Sequence, residues 1–311
     1  MTALICGSMA YDTIMVFPDK FKHHILPEQV HILNVSFLVP ELRREYGGCA
    51  GNIAYNLKQL GAEPLIMATV GKDFTPYAQW LGYCSINQDL IKVLENSYTA
   101  QAYITTDLDD NQITAFHPGA MSFSHENTVP RDRGIRLGLV SPDGKDGMVQ
   151  HAAQFVEAGI PFIFDPGQGM PMFDGAELMD FVEKATWVTL NDYEAQLMQE
   201  RTGLTAEALA QKVEALIVTR GANGSLIYSG GEVIEIPPAK PHATLDPTGC
   251  GDAYRAGLVY GLLEGLDWAT TGRIASLMGA VKVETHGTQN HAFTLAEFKK
   301  RYWESFGSVF F

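Results

Sequence analysis

The sequence predicts an α/β protein built on a mostly parallel β-sheet. From about residue 134 onward, short apolar runs of strand length alternate with segments of helix length, which is typical of parallel sheets covered by helices on both faces. Apolar residues make up 46% of the 311 residues, enough for a substantial core. The strands predicted here are 135–141, 162–165, 187–190 and 215–219, and the helices are 146–158, 175–185, 192–201 and 205–212.

The start of the chain and its C-terminal third extend the same pattern. Ala50, Ile53, Leu57 and Leu60 recur at helical spacing and predict one apolar helix face. The remaining elements of this α/β body are helices over 50–60, 249–264, 267–284 and 295–303 and strands over 3–7 and 64–70.

Four further segments alternate like strands but cannot all join the parallel sheet through short connections. They are 13–17, 30–38, 99–106 and 112–117. We expect them to form a small separate sheet, placed as a lid that excludes water from a cleft below it. The predicted lid comprises 13–39 and 97–119, and the predicted body comprises 1–12, 40–96 and 120–311.

Charge and composition exclude several classes of function. Lys and Arg total 22 against 36 Asp and Glu, a net charge of −14, so a basic surface for nucleic acid or anionic lipid is not expected. The four cysteines are widely spaced, which predicts reduced thiols rather than disulfides or a zinc site. No signal peptide is expected, and no apolar run approaches the roughly 18 residues of a membrane span. The sequence therefore predicts a cytoplasmic protein without nucleic-acid or membrane partners.

The most informative stretch is LDPTGCGDAYRAGLVYG at 245–261. Gly249 and Gly251 lead into an apolar helix, and Asp252 lies in its first turn. The free amides and the dipole of a helix N-terminus attract an anion. A carboxylate beside them is explained if the second negative group is a phosphoryl group in transfer and Asp252 is a base for the attacking hydroxyl. That is the arrangement of a small-molecule kinase, although an Asp in a first helical turn commonly only complements the dipole.

Other turns with glycine or polar residues also follow predicted strands. Ligands of open α/β sheets bind at the carboxyl ends of the strands, so these turns together indicate one ligand cleft. Each taken alone is equally typical of an ordinary turn. The set comprises Asp12, Gly47 and Gly48 with Asn52, Asp165 to Gln168, Asn191 with Glu194, and Thr219 to Gly224.

Two common nucleotide-binding motifs are missing. The chain has no Gly-x-x-x-x-Gly-Lys-Ser/Thr sequence, which excludes a Walker-type NTPase. In the nearest match to Gly-x-Gly-x-x-Gly, at 249–254, Tyr254 replaces the third glycine, which disfavours a dinucleotide site and an NAD-dependent dehydrogenase.

The combined motifs resemble those of the ribokinase-like (PfkB) family of sugar and nucleoside kinases over essentially the whole chain. They occur in the order Gly47-Gly48 with Asn52, Asn191-x-x-Glu194, Thr219-x-Gly221-x-x-Gly224 and Asp246-x-Thr-Gly-x-Gly-Asp252. Residues 7–12, 33–38, 116–121 and 191–194 are most similar to bacterial adenosine and nucleoside kinases. The resemblance implies a three-layer α/β/α fold with a mostly parallel central sheet and a small β-sheet lid.

The resemblance also implies a catalytic and a substrate site. Asp252 would be the base, and the amides of Gly249, Cys250 and Gly251 would hold the transferring phosphoryl group. A carboxylate can accept from two neighbouring ribose hydroxyls, the role implied for Asp12. The implied substrate site comprises Asp12, Gly48 and Asn52 around the ribose and Ser8, Ser36, Phe116 and Gln168 around the base.

The same resemblance implies the cofactors ATP and Mg²⁺ and leaves a requirement for a monovalent cation such as K⁺ open. Asn191 and Glu194 would order the phosphates, with Glu194 reaching Mg²⁺ through water. The residues that would line the ATP site are Asn191, Thr219, Gly221, Gly224 and Gly287.

The predicted reaction is ATP- and Mg²⁺-dependent phosphorylation of the 5′-hydroxyl of a purine nucleoside, either adenosine or a broader set. The alternative is a ribose- or fructose-type sugar kinase of the same family. Ala10 stands where ribokinase-type sugar kinases carry Asn, which favours a nucleoside. The aromatic that stacks on the base in some nucleoside kinases is replaced near Ala102, with Tyr103 adjacent, so the base stays open.

Two further predictions concern the class of protein and its assembly. A non-catalytic nucleotide sensor on the same fold is disfavoured because Asp12, Asp252 and the loop glycines are intact. A thin lid sheet has open edges and cannot bury both of its faces, so we expect a homodimer joined through the lids.

Overall fold

The computed structural model of the chain describes residues 2–25, 34–109 and 111–310. Its strands are β1 Thr2–Cys6, β2 Ala10–Val16, β3 Glu41–Gly47, β4 Glu63–Gly71, β5 Asn87–Leu94, β6 Ala100–Thr106, β7 Gln112–His117, β8 Ile135–Val140, β9 Phe162–Phe164, β10 Trp187–Asn191, β11 Ala215–Thr219, β12 Ser225–Ser229 and β13 Glu232–Ile236. Its α-helices are α1 Cys49–Gln59, α2 Thr75–Tyr83, α3 Lys145–Ala158, α4 Gly175–Lys184, α5 Asp192–Thr202, α6 Ala206–Ala210, α7 Cys250–Glu264, α8 Trp268–Lys282 and α9 Leu295–Phe306. Within the described ranges, none of these helices has the length and apolar character needed to span a membrane.

In the part of the chain that the structure describes, nine strands form the central sheet in the order β13-β12-β11-β10-β9-β8-β1-β4-β5. The strands from β11 to β5 pair in parallel, and the hairpin β12–β13 adds two antiparallel strands at one edge. The prediction of a mostly parallel sheet is confirmed. The sequence pattern did not predict α2, β5, β12 or β13, which all lie towards the two edges of this sheet.

Two hydrophobic clusters cover the central sheet. One includes Ile5 of β1 with apolar residues of α1, α7, α8 and α9, and the other includes Leu4 with residues of α3, α4 and α5. Because neighbouring residues of a strand point to opposite faces, the two clusters lie on opposite sides of the sheet. The arrangement is the predicted three-layer α/β/α fold.

Among the described residues, a separate sheet of four strands has the order β3-β2-β6-β7. In it β2 runs antiparallel to β3 and parallel to β6, and β6 runs antiparallel to β7. The predicted strands over 13–17, 99–106 and 112–117 are confirmed as β2, β6 and β7. The division of the chain into a body and a lid with the boundaries given above stays a prediction.

The prediction of a strand over 30–38 is wrong for residues 34–38, the part of that range that the structure describes. Residues 30–33 lie outside the described residues, and residues 34–38 have no regular structure. Their apolar pattern has another cause, because Phe37 packs against Phe17 with ring centroids 4.7 Å apart. The fourth strand is β3, a charged and largely exposed segment at the sheet edge. Edge strands are commonly charged, and such a strand lacks the apolar alternation that prediction depends on.

The close packing of α7 on α8 depends on glycine. A Cβ added at Gly257 would lie 2.4 Å from the Cα of Ala275, and one added at Gly261 would lie 2.4 Å from the Oγ1 of Thr271. Both distances are too short for real contacts, so the two helices approach each other where α7 lacks side chains. This contact fixes α7, the helix that carries Asp252.

We expect Gly257→Ala to lower the free energy of unfolding by about 1–3 kcal/mol, because the new methyl group forces α7 away from α8. The matched control is Gly82→Ala in α2, where the nearest atom to an added Cβ is the Nε2 of Gln88 at 3.8 Å. That change should stabilise by about 0.5–1 kcal/mol, since it only restricts the unfolded chain. Urea unfolding measures both values, and equal stability of the two variants would contradict the packing argument.

Candidate active site

The loop before α7 and the first turn of that helix hold the predicted anion site. Gly249 caps the helix at φ +79°, in the left-handed region that favours glycine. The amide of Cys250 donates to the carbonyl of Pro247 at 3.1 Å. Helix geometry leaves the amides of Gly251 and Asp252 without an intrahelical acceptor. The anion-binding role of Gly249, Cys250 and Gly251 stays a prediction, and the amide of Gly251 is the best placed of the three.

The carboxylate of Asp252 is oriented by a chain of side-chain amides. The Nδ2 of Asn52, in the first turn of α1, donates to the Oδ2 of Asp252 at 2.8 Å. The Oδ1 of Asn52 accepts from the Nε2 of Gln289 at 3.0 Å. That same Nε2 lies 2.6 Å from the hydroxyl of Tyr77, and the Oε1 of Gln289 accepts from the indole of Trp80 at 2.9 Å. Because Gln289 fixes which end of the Asn52 amide faces it, the other end must donate to Asp252.

The surroundings of Asp252 tune its proton affinity. Burial raises the pKa of its carboxyl to about 6, and the negative charges of Asp165 and Asp12 act in the same direction. The hydrogen bond from Asn52 and the charge of Arg255 lower it. A carboxylate with this pKa is ionised at neutral pH and still has a useful affinity for a proton, as a general base requires.

A buried arginine holds three elements together beside Asp252. Arg255 lies one turn further along α7 and donates through its Nε and one terminal nitrogen to both carboxylate oxygens of Asp165, at 2.6 and 2.9 Å. The same guanidinium lies 3.8 Å from the carboxylate of Glu194 at the start of α5. Its other terminal nitrogen donates to the carbonyl of Gly251 at 3.2 Å. The first turn of α7 is thereby tied to the ends of β9 and β10.

Sequence reasoning missed both the arginine and the amide chain. An arginine inside the apolar run of α7 is a usable signal, because a buried charge needs a partner. Gln289 gives no comparable signal, since it lies in a loop 237 residues beyond Asn52.

Two of the predicted substrate residues, Asp12 and Phe116, lie on one row of the small sheet. Asp12 of β2 pairs with Glu45 of β3 on one side and with Ala102 of β6 on the other, and Ala102 pairs with Phe116 of β7. Directly paired residues point to the same face of a sheet. Ala102, which is buried, therefore presents only a methyl group between the Asp12 carboxylate and the exposed ring of Phe116. Burial raises the pKa of Asp12 to about 6, and the charge of Glu45 adds to the shift.

Glycines let the backbone approach the Asp12 carboxylate. A Cβ on Gly47 would lie 2.6 Å from the Oδ2 of Asp12. Gly48 has φ +87°, and a Cβ there would lie 2.5 Å from the carbonyl oxygen of Ser8. The side chain of Ser8 is buried and accepts from the amide of Cys49 at 3.2 Å, so its hydroxyl already caps the start of α1.

Two predicted base contacts are not explained by this geometry. Ser36 is exposed in a segment without regular structure, and Gln168 is exposed in the short 3₁₀ turn Gly167–Met172. Their roles in a base site stay predictions.

Four of the five predicted ATP residues, all but Gly287, lie at or just after the carboxyl ends of β10 and β11. Asn191 caps α5, accepting from the amide of Glu194 at 2.7 Å while its own amide and Nδ2 donate to the Glu194 carboxylate, each at 2.8 Å. Thr219 pairs in register with Asn191. Gly221 and Gly224 have φ of +54° and +77°, and a Cβ on Gly224 would lie 2.1 Å from the carbonyl of Ile236. These residues lie together at the carboxyl ends of two neighbouring strands, and their contacts with ATP stay a prediction.

The donor set fits Mg²⁺ only through water and substrate phosphates. Within residues 2–25, 34–109 and 111–310, no three His, Cys, Asp or Glu residues form a metal cluster. Mg²⁺ usually keeps several waters and takes one or two carboxylates plus phosphate oxygens. Glu194 is a carboxylate of this kind, and burial raises its pKa.

Gly287, predicted to line the ATP site, donates its amide to the Oδ2 of Asp246 at 2.9 Å.

We expect Arg255→Met to lower the free energy of unfolding by about 3–5 kcal/mol, because it leaves the Asp165 carboxylate buried without its partner. The control is Arg131→Met, which breaks an exposed pair with Glu157 at 3.1 Å and should change stability little. Urea unfolding of both variants measures the difference. A combined Arg255→Met and Asp165→Leu variant should regain part of the stability, and no gain would contradict this explanation.

The model of the pfkB family carbohydrate kinases matches residues 9–294. The nucleoside kinase of Methanocaldococcus jannaschii is 32% identical to this chain over 260 residues, covering 83% of this chain and 85% of the relative. Among solved structures, the nucleoside kinase of Burkholderia thailandensis in complex with inosine superposes with a TM-score of 0.90 at 50% identity, covering 99% of both chains.

A second structure of the Burkholderia thailandensis nucleoside kinase, in complex with ADP-inosine, gives a TM-score of 0.88 at 52% identity and covers 99% of this chain and 97% of that one. The family match spans most of the chain, and the fold and motifs agree with it. The resemblance predicted from the sequence is therefore confirmed: this chain belongs to the PfkB family of carbohydrate kinases and is a phosphotransferase with an alcohol acceptor.

Proposed function

We propose that this protein transfers the terminal phosphoryl group of ATP to the 5′-hydroxyl of a purine nucleoside in the cytoplasm. The observation that carries the proposal is the Asp252 carboxylate, held by Asn52 at the N-terminus of α7 and electrostatically coupled to Asp12. Two carboxylates so placed can engage two different hydroxyls of one substrate. Asp12 would accept from the paired ribose hydroxyls, and Asp252 would face the reacting one.

The choice of a nucleoside is supported from two directions. The nucleoside kinases of Methanocaldococcus jannaschii and Burkholderia thailandensis are 32% and 50% identical to this chain over most of its length, and the latter was solved in complex with inosine. The row of Asp12, Ala102 and Phe116 has a carboxylate at one end, an exposed aromatic ring at the other and only a methyl group between them. A ribose with an attached planar base matches that row better than a free sugar does.

Each step of the proposed reaction is assigned to a residue of this chain. Asp252 removes the proton from the attacking hydroxyl, and Asn52 holds the carboxylate in line. The Gly251 amide and the dipole of α7 stabilise negative charge on the transferring group. Glu194 would order the water shell of a bound Mg²⁺, and that ion would supply positive charge to the ATP phosphates. The small sheet closes over the cleft and excludes water.

We expect Asp252→Asn to lower kcat by about 10²–10⁴-fold or more, because the amide cannot take the proton. ATP binding, measured by calorimetry, should survive. The control is Asp146→Asn, since Asp146 is also an acid in the first turn of a helix but is exposed in α3. That variant should turn over normally.

The same experiment has a pH readout. The raised pKa of Asp252 means that its carboxylate takes up a proton as the pH falls, so wild-type kcat/KM should drop as the pH falls through about 6. Asp12 has a pKa of about 6 as well and should steepen this limb in the free enzyme. Near-normal turnover of Asp252→Asn, or a wild-type profile that stays flat below pH 6, would remove Asp252 from the mechanism.

A substrate panel tests the acceptor. With ATP consumption as the measure, adenosine and inosine should be better substrates than ribose or fructose. The 2′- and 3′-deoxynucleosides should lose at least about tenfold in kcat/KM, because they leave the Asp12 carboxylate without a donor. A free sugar that is phosphorylated more efficiently than every nucleoside would establish the alternative, a sugar kinase. Equal efficiency of adenosine and 2′-deoxyadenosine would contradict the role of Asp12 alone.

We also propose a homodimer joined through the small sheets. Leu42, Tyr103 and Ile113 are 64, 43 and 45% exposed, and the strand register places all three on the face opposite Asp12. A two-fold contact between such faces would cover them.

Light scattering should give a mass of about twice 34.1 kDa for the wild type and 34.1 kDa for a Leu42→Glu and Ile113→Lys variant. The control is Val233→Lys, because Val233 is 52% exposed on β13 at the edge of the central sheet. That variant should stay dimeric. A wild-type monomer at every concentration would contradict the proposed assembly.

A further inference from the structure

Lys282 is a buried cation that the proposed mechanism does not use. It is the last residue of α8, and its side chain is 0% exposed. Its ammonium donates to the backbone carbonyl of Asp246 at 2.8 Å and to that of Thr285 at 3.2 Å. Lysine is almost never fully buried unless it is paired, so this placement calls for a reason.

The two carbonyls belong to the two loops that lie on either side of the predicted anion site. Asp246 opens the loop that leads to Gly249, and its side chain accepts from the amides of Thr248 and Gly287, both at 2.9 Å. Thr285 opens the loop that carries Gly287. The ammonium of Lys282 therefore joins both loops directly behind the first turn of α7.

Backbone carbonyls turned towards one point are also the ligands that replace the water shell of K⁺. A lysine ammonium carries the same single positive charge and presents donors to the same oxygens. Burial lowers the pKa of Lys282, while the charges of Asp246 and Glu45 oppose that shift. With the ammonium on these carbonyls, a bound K⁺ does not fit here.

We propose that the Lys282 ammonium is the resident monovalent cation of this site and makes turnover independent of added K⁺. Lys282 acts as a positioning residue, because it contacts the loops and not the substrate. The inference rests on the proposed function of the Asp252 site, since the loops matter for turnover only if that site transfers the phosphoryl group.

A purely structural role is the competing explanation. A cation at the C-terminus of a helix is favourable to the helix dipole wherever it occurs. Lys184 is such a residue: it ends α4, pairs with Asp180 and lies away from the cleft. It supplies the matched control.

The test compares the wild type, Lys282→Ala, Lys282→Met and Lys184→Ala in choline chloride, KCl and NH₄Cl at constant ionic strength. The wild type and Lys184→Ala should give the same kcat/KM in all three salts. Lys282→Ala should lose at least about tenfold in choline chloride, because the loops shift, and regain most of it in KCl or NH₄Cl. Lys282→Met fills the space without a charge and should lose activity that no cation restores.

Thermal unfolding gives a second readout that needs no turnover. KCl should raise the Tm of Lys282→Ala above its value in choline chloride and leave the Tm of the wild type and Lys282→Met unchanged. Stimulation of the wild type by K⁺, or a folded Lys282→Ala that responds to no cation in Tm or rate, would overturn the proposal. If the wild type phosphorylates no nucleoside or sugar while the Tm response is as expected, the proposed function fails and the cation site stands.

Discussion

The buried guanidinium of Arg255 is the interaction on which the geometry of the cleft depends. Three segments that are far apart in sequence end at it: Asp165 after β9, Glu194 at the start of α5 and the carbonyl of Gly251 in α7. An unpaired charge in that position would be costly, so the three segments can separate only at a considerable free-energy cost. The residues proposed to order the phosphates, on α5, and the proposed base, on α7, are thereby held in a fixed relative position.

The Asp252 carboxylate is oriented by neutral side-chain amides and not by a second charged group. Asn52 and Gln289 cannot change protonation between pH extremes, so they orient the carboxylate without adding an ionisation of their own. Burial raises the pKa of Asp252, and the Asn52 hydrogen bond and the charge of Arg255 lower it. Asn52 therefore contributes to both the orientation and the acidity of this carboxylate, so a change at Asn52 alters the two together.

The sequence predicted features that depend on neighbouring residues and missed contacts between residues that are far apart in the chain. Gly249 to Asp252 form a motif within four residues, because glycine, helix start and acid are all set by neighbouring backbone. The central strands were predictable because each is a continuous apolar run buried on both faces. In contrast, β3 is polar at a sheet edge, and its place follows only from its pairing with β2. Gln289 and Arg255 matter through partners 237 and 90 residues away, which no local pattern reveals.

The two carboxylates of the cleft are carried by different sheets. Asp12 is part of the small sheet, on the strand that follows β1 after residues 7–9, and Asp252 belongs to a helix packed on the central sheet. A molecule must reach from one to the other before both can bind it. On the proposed assignment, the separation between the paired hydroxyls and the reacting hydroxyl is itself a criterion of selection. A compound with the same chemical groups but a different spacing between its hydroxyls would reach only one of the two carboxylates.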